Sequence, residues 1–96
     1  MDGFLMKYRI VVSKKAKKVI EKWKKSHPQL LHKLDIIAHE LECHPRTGTG
    51  HPEALKGGEG ITFSRRISAN NRIIYDIYDE EVYVLIIQLE GHYDDK

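Results

Sequence analysis

Three strand-forming stretches follow one another through the last third of the chain, and they dictate most of what the rest can fold into. Ile61 to Ile67 alternates, with Ile61, Phe63, Arg65 and Ile67 on one face and Thr62, Ser64 and Arg66 on the other. Ser68-Ala69-Asn70-Asn71 gives a hairpin signal, Arg72 to Tyr78 a second strand, and Val82 to Leu89 a third beyond the acidic turn Asp79-Glu80-Glu81. Turns this short make antiparallel neighbours, and the apolar face of such a sheet has to be covered.

The first half of the chain supplies the cover. Residues 7 to 12, KYRIVV, read as one more strand, and Ser13 is placed to cap a helix. That helix, about 14 to 25, gathers Ala16, Val19, Ile20 and Trp23 on one stripe, with Trp23 in the core and lysines elsewhere. Ser26-His27-Pro28 stops it and starts a second helix, with a hydroxyl or imidazole expected to cap the free N–H groups. Over about 29 to 43, Leu30, Leu34, Ile37 and Leu41 recur at helical spacing, backed by Leu31 and Ala38, until Pro45. The predicted order is β-α-α-β-β-β. It is an α+β fold with two antiparallel helices packed on one face of a twisted, mainly antiparallel sheet. One domain is expected over 1–96, with 1–5 an extension and 94–96 a tail.

Between Pro45 and Gly60, two prolines and five glycines mark a loop. One helical turn is expected in it at Pro52-Glu53-Ala54-Leu55-Lys56, with Leu55 as its anchor. A loop of about 15 residues is long for so small a domain, and such loops carry function or are disordered.

Composition excludes several classes. A chain that is 41% hydrophobic and 31% charged has enough apolar side chains to fold. No apolar run reaches the roughly 18 residues of a membrane span, and no secretory signal precedes the first strand. The single Cys43 cannot form an internal disulfide, so the expected compartment is the cytoplasm. Net charge is only +2, yet charge is segregated. Lys7 to Lys25 holds nine basic residues against one acidic, Glu21, and Asp76 to Lys96 holds seven acidic residues against one basic. The basic run fits an anionic partner such as nucleic acid, and a solvated helix face equally.

The chemistry concentrates between Gly50 and Arg72, GHPEALKGGEGITFSRRISANNR, where Glu53, Lys56, Arg65, Arg66 and Arg72 form an inventory for handling phosphate. Alternation sends Arg66 to the open face with Ser64 and sends Arg65 to the other with Phe63 and Ile67. Arg72 starts the next strand across a short turn and comes near Arg66. Two arginines on one open face repel unless an anion or a carboxylate sits between them, and surface salt bridges to Glu53, Glu59 or the C-terminal acids are the plain alternative. His92, just past the last strand, adds a group that titrates near neutrality. With it the chain holds the parts of a metal-free ribonuclease: a base for the 2′-OH, cations for the phosphorane charge and an acid for the 5′-oxygen. A zinc site lacks its spacing, since the six histidines include no HExxH and no cysteine pair. Cys43 has no nucleophile's setting, and Gly57, Gly58 and Gly60 lack the GK[ST] ending of a P-loop.

These residues resemble a known family. Gly48-Thr49-Gly50-His51-Pro52-Glu53-Ala54-Leu55-Lys56, then Ser64-Arg65-Arg66-Ile67, Arg72-Ile73-Ile74-Tyr75 and His92-Tyr93, is similar to the YoeB/Txe toxins of the RelE superfamily, the toxin halves of bacterial type II toxin–antitoxin pairs. The resemblance spans Lys7 to Tyr93. It implies a ribosome-dependent mRNA endoribonuclease that enters the A site and cuts the bound codon without a cofactor or metal. By residue it implies Glu53 as general base, His92 as general acid and Arg66 as the arginine stabilising the transition-state phosphate. Arg72, Lys56 and Arg65 fall in the phosphate-contacting set, although alternation gives Arg65 a structural place. Tyr93 orients the substrate end of the site, and Lys14, Lys17 and Lys18 are candidates for docking on ribosomal RNA. The family further implies a homodimer and a cognate antitoxin of the YefM/Phd type.

Two departures stand out. Phe63 occupies a position often held by tryptophan, and Asp94-Asp95-Lys96 follows His92-Tyr93, where family chains commonly end. Carboxylates beside His92 would raise its pKa or pair with Arg66. Two other functions fit the residues: a ParE-like gyrase inhibitor on the same fold, and a non-catalytic module binding nucleic acid or an acidic partner through its first helix.

Overall fold

A computed structural model of the chain describes residues 7–91, Glu90 by its backbone alone. Five strands and two helices run in the order β1 (Arg9–Val12), α1 (Lys14–Ser26), α2 (Pro28–Cys43), β2 (Glu53–Ala54), β3 (Thr62–Ser68), β4 (Asn71–Tyr78) and β5 (Tyr83–Gly91). They form one sheet in the order β1-β5-β4-β3-β2, antiparallel throughout except that β1 runs parallel to β5. The expected α+β architecture is therefore present, with one strand more than the sequence reading gave it.

The corrected element is in the long loop. Pro52 to Lys56 holds no helical turn. Glu53 and Ala54 lie extended against Ser64 and Phe63, and the Leu55 N–H donates to the Thr62 carbonyl at 2.9 Å. A single helical turn leaves its backbone groups without intrahelical partners, whereas the free edge of β3 offers a ready row of them. Leu55 is half-buried.

Ser13 ties the first helix to the sheet. Its Oγ accepts from the Ala16 N–H at 3.0 Å and donates to the Ile87 carbonyl at 2.7 Å, so the cap of α1 is also a strap onto β5. At the α1–α2 junction the expected side-chain cap is missing. Ser26 Oγ donates instead to the Lys22 carbonyl, and His27 closes α1 through its backbone N–H to the Trp23 carbonyl. Pro28 needs no N–H partner at the first helical position, which makes the bare start tolerable.

The core lies between the helices and one face of the sheet. Ala16 and Trp23 of α1 and Leu30, Leu34, Ile37 and Leu41 of α2 pack with Ile67, Ile73, Tyr75, Ile77, Val84, Ile86 and Leu89. These are the stripes read from the sequence, and full burial of each large side chain contributes roughly 1.5–3 kcal/mol relative to exposure. The opposite face of the sheet, carrying Ser64, Arg66 and Arg72, is left without helices. Among the described residues no helix is long and apolar enough to cross a membrane.

Candidate active site

The open face gains its chemistry from register. Glu53 of β2 lies opposite Ser64 of β3, and Arg66, two residues further along the same face of β3, lies opposite Arg72 of β4. Directly opposed residues in an antiparallel pair project to the same side, with Cβ atoms about 4.5–5.5 Å apart. A carboxylate and two guanidinium groups therefore converge from three adjacent strands. They line a cleft of about 690 Å³ together with Ser64, His51 and Arg46.

The loop before β2 closes the cleft from the side. Gly50 crosses β3 so closely that its carbonyl accepts the Arg66 N–H at 2.8 Å, and any side chain there would collide with the Arg66 carbonyl oxygen. Its φ of 88° adds a second reason for glycine. The next residue, His51, sits on the cleft wall at a φ of 53° that β-carbon sterics disfavour.

What holds this loop is Arg65. Its side chain is completely buried, on the face away from the cleft. Nε donates to Tyr75 Oη at 3.0 Å, Nη1 to Glu40 Oε1 at 2.8 Å and the Thr49 carbonyl at 3.3 Å, and Nη2 to the His44 and Thr47 carbonyls, both at 2.7 Å. A guanidinium has five N–H donors, and all are matched. Tyr75 Oη in turn donates to the Pro45 carbonyl at 2.8 Å. The expectation that Arg65 contacts phosphate is thus corrected: its donors are used within the protein, and Glu40 neutralises its charge.

The same contacts set the protonation of two groups. Hydrogen bonds from the Thr49 hydroxyl and backbone N–H, with Arg65 beside it, hold the Glu40 carboxyl below the usual glutamate range. Burial pushes the Tyr75 hydroxyl up, so it stays a neutral donor.

The side chains of Arg66 and Arg72 differ from that of Arg65 in having no hydrogen bond or ion pair among the described side chains, and the Glu53 carboxylate likewise. Salt bridges from these arginines to Glu53 or Glu59 are not formed, while the C-terminal acids offered with them lie outside the description, Glu90 by its side chain and Asp94 and Asp95 altogether. Lys56 is exposed and outside the cleft lining, and Lys14, Lys17 and Lys18 are exposed on α1. β5 ends at Gly91 opposite Asn71, one register step from Arg72, while His92 and Tyr93 lie outside the described residues.

The sequence reading did not single out Ser64, His51 or Arg46 as site residues. Ser64 was assigned the right face without a role. Arg46 is joined through both terminal nitrogens to Asp79, at 3.2 and 2.8 Å, and Asp79 also accepts from Tyr8 Oη at 2.7 Å. That pairing spans loop and turn, and no local pattern announces it.

A family model described as a YoeB-like toxin of bacterial type II toxin-antitoxin system matches residues 12–93. Toxin YoeB of Synechocystis is 34% identical over 65 residues, which cover 68% of this chain and 73% of that protein. A solved YoeB/ParE toxin from Agrobacterium tumefaciens superposes with a TM-score of 0.80 at 27% identity, covering 88% of this chain and 99% of that one. The YoeB dimer and the YoeB-YefM complex from Staphylococcus aureus share the fold, each at 23% identity, with TM-scores of 0.79 and 0.76. The dimer match covers 91% of this chain and 99% of the other, the complex match 90% and 98%. The cleft, the loop motif and these likenesses agree, and the chain belongs to the YoeB-like toxins of bacterial type II toxin–antitoxin systems.

Proposed function

We propose that the protein is a ribosome-dependent mRNA endoribonuclease that cuts A-site codons by general acid–base catalysis. The observation that carries this reading is the convergence of Glu53, Arg66 and Arg72 on one open cleft with no partner for any of them among the described residues. Unpaired cations facing each other across a strand pair are relieved by an anion, and a phosphate diester supplies one.

In this mechanism Glu53 takes the proton of the 2′-OH as the 2′-oxygen attacks phosphorus. Arg66 and Arg72 bind the non-bridging oxygens as charge develops there. His92 gives a proton to the departing 5′-oxygen, and Tyr93 orients the substrate end. The P–O5′ bond breaks, leaving a 2′,3′-cyclic phosphate and a 5′-OH. Lys56, outside the cleft, contacts a flanking phosphate. Lys14, Lys17 and Lys18 dock on ribosomal RNA, which makes ribosome binding salt-sensitive.

An antitoxin of the YefM type and a homodimer complete the reading, supported by the Staphylococcus aureus proteins that share this fold and are described as a YoeB-YefM complex and a YoeB dimer. The test is primer extension on mRNA from expressing cells, with Glu53→Ala, Arg66→Ala and His92→Ala alongside. Codon-linked cuts in the wild type, lost in all three folded variants, are expected. Growth arrest without such cuts would point to gyrase inhibition instead. Arrest lost only on charge reversal of Lys14, Lys17 or Lys18 would point to a non-catalytic binding module.

A further inference from the structure

Ser64 occupies an unusual place. It is only 3% exposed, yet it lines the cleft, directly opposite Glu53 and two residues from Arg66 on the same face of β3. Its hydroxyl has no hydrogen-bond partner among the described residues, not even Glu53 across the strand pair. Among the described residues the buried side-chain atom without a partner is Asn71 Oδ1, not the Ser64 hydroxyl, whose oxygen is open to the cleft and so available to a ligand there. The hydroxyl sits between the carboxylate and the two arginines, with Arg66 about 7 Å along the strand from Ser64. A phosphate held by Arg66 and Arg72 brings a non-bridging oxygen over this row.

We infer that Ser64 is a further substrate-contacting residue, its Oγ–H donating to a non-bridging oxygen of the scissile phosphate. The inference rests on the ribonuclease reading above and adds a neutral donor to its cations. A neutral donor complements them, because it fixes the direction of the phosphate without adding repulsion between Arg66 and Arg72.

The test measures single-turnover cleavage of an A-site codon on programmed ribosomes, with melting temperature measured on the same samples. Ser64→Ala is expected to slow cleavage roughly 10- to 100-fold, the effect of losing one hydrogen bond to a charged group. Its affinity for the ribosome should stay at the wild-type level. Its melting temperature should stay level or rise, because the folded protein loses no bond. With a phosphorothioate at the scissile position, the wild-type rate should fall toward that of Ser64→Ala, and the variant should change little further. Wild-type cleavage by Ser64→Ala overturns the inference, and so does a fall in melting temperature that parallels the loss of rate, the mark of a structural hydroxyl. If the wild type fails to cut while bound to the ribosome, the ribonuclease reading fails and takes this inference with it. If the wild type cuts, Glu53→Gln does not, and Ser64→Ala cuts normally, only the inference fails.

Discussion

Arg65 and Arg66 are neighbours in sequence with opposite surroundings. One side chain is completely buried, with every donor matched by a protein acceptor. The other is exposed on the cleft without a partner among the described residues. The pleat of β3 produces this difference by sending successive side chains to opposite faces. A guanidinium whose donors are all used holds structure, and one whose donors are free holds ligand. The two sites are also coupled. The clamp around Arg65 fixes the carbonyls of His44, Pro45, Thr47 and Thr49, and that loop leads directly to Gly50, which grips the Arg66 backbone, and on to Glu53.

The comparison breaks most easily at the arginines themselves. Arg65→Met should destabilise the protein by about 3–5 kcal/mol, because it leaves Glu40 and several loop carbonyls buried or half-buried without their cation. Arg65→Lys should recover little, since an ammonium cannot span five divergent acceptors. Arg66→Met should stay within about 0.5 kcal/mol of the wild type in denaturant unfolding, while its cleavage rate falls about 10²- to 10³-fold. Equal destabilisation by Arg65→Met and Arg66→Met would remove the distinction.

A pH series sharpens the same contrast. Glu40 has a folded-state pKa held below its unfolded value, chiefly by the Thr49 hydroxyl. Its contribution is therefore present at neutral pH and is lost as pH falls below the ordinary glutamate range and through the lowered folded pKa. Glu40→Gln should cost about 1–3 kcal/mol at pH 7, and its stability should converge on that of the wild type in acid. A constant gap across that range would mean that the carboxylate's charge does not matter.

The same physics decides what was legible in the sequence. Both helices were readable because Trp23, Leu30, Leu34, Ile37 and Leu41 repeat at the period of a helix, and three strands because hairpin residues stand between alternating runs. β2 was not, because two residues in a glycine-rich loop become a strand only through pairing with β3, a contact the local sequence does not encode. The parallel pairing of β1 with β5 is hidden for the same reason. At the site, alternation separated Arg65 from Arg66 correctly. The partners of Arg65 stayed invisible, since Glu40 lies on a helix and Tyr75 on the next strand. Ser64 was put on the right face, but its depth was not readable, because a short side chain between longer neighbours sinks below them.

Tyr75 offers a gentler cut into the clamp. Tyr75→Phe removes only a hydroxyl, leaving the Arg65 Nε–H without its acceptor and the Pro45 carbonyl without its donor, while the ring keeps its packing on Phe63. The expected loss is about 1–2 kcal/mol. Amide exchange in the loop should accelerate ahead of the β4 and β5 core, because the broken bonds belong to the loop. Uniform acceleration would place Tyr75 in the global core alone.

The smallest effect is expected where an arginine is paired in the open. Arg46 and Asp79 make a two-nitrogen ion pair like that of a buried clamp, yet their side chains are 42% and 55% exposed. Water competes for both partners, so the pair gains little over its separated, hydrated state. Tyr8 shares the carboxylate, and Asp79→Asn keeps an oxygen for that bond while removing the charge. Its cost should stay below about 1 kcal/mol and shrink further between low and high salt, because exposed charges are screened. Arg65→Met should lose the same stability at both ionic strengths, its pair being shielded from solvent ions. Denaturant unfolding of the two variants at both salt concentrations measures this directly. A salt-independent loss above 1 kcal/mol for Asp79→Asn would place Arg46 with Arg65, as a second clamp on the cleft wall.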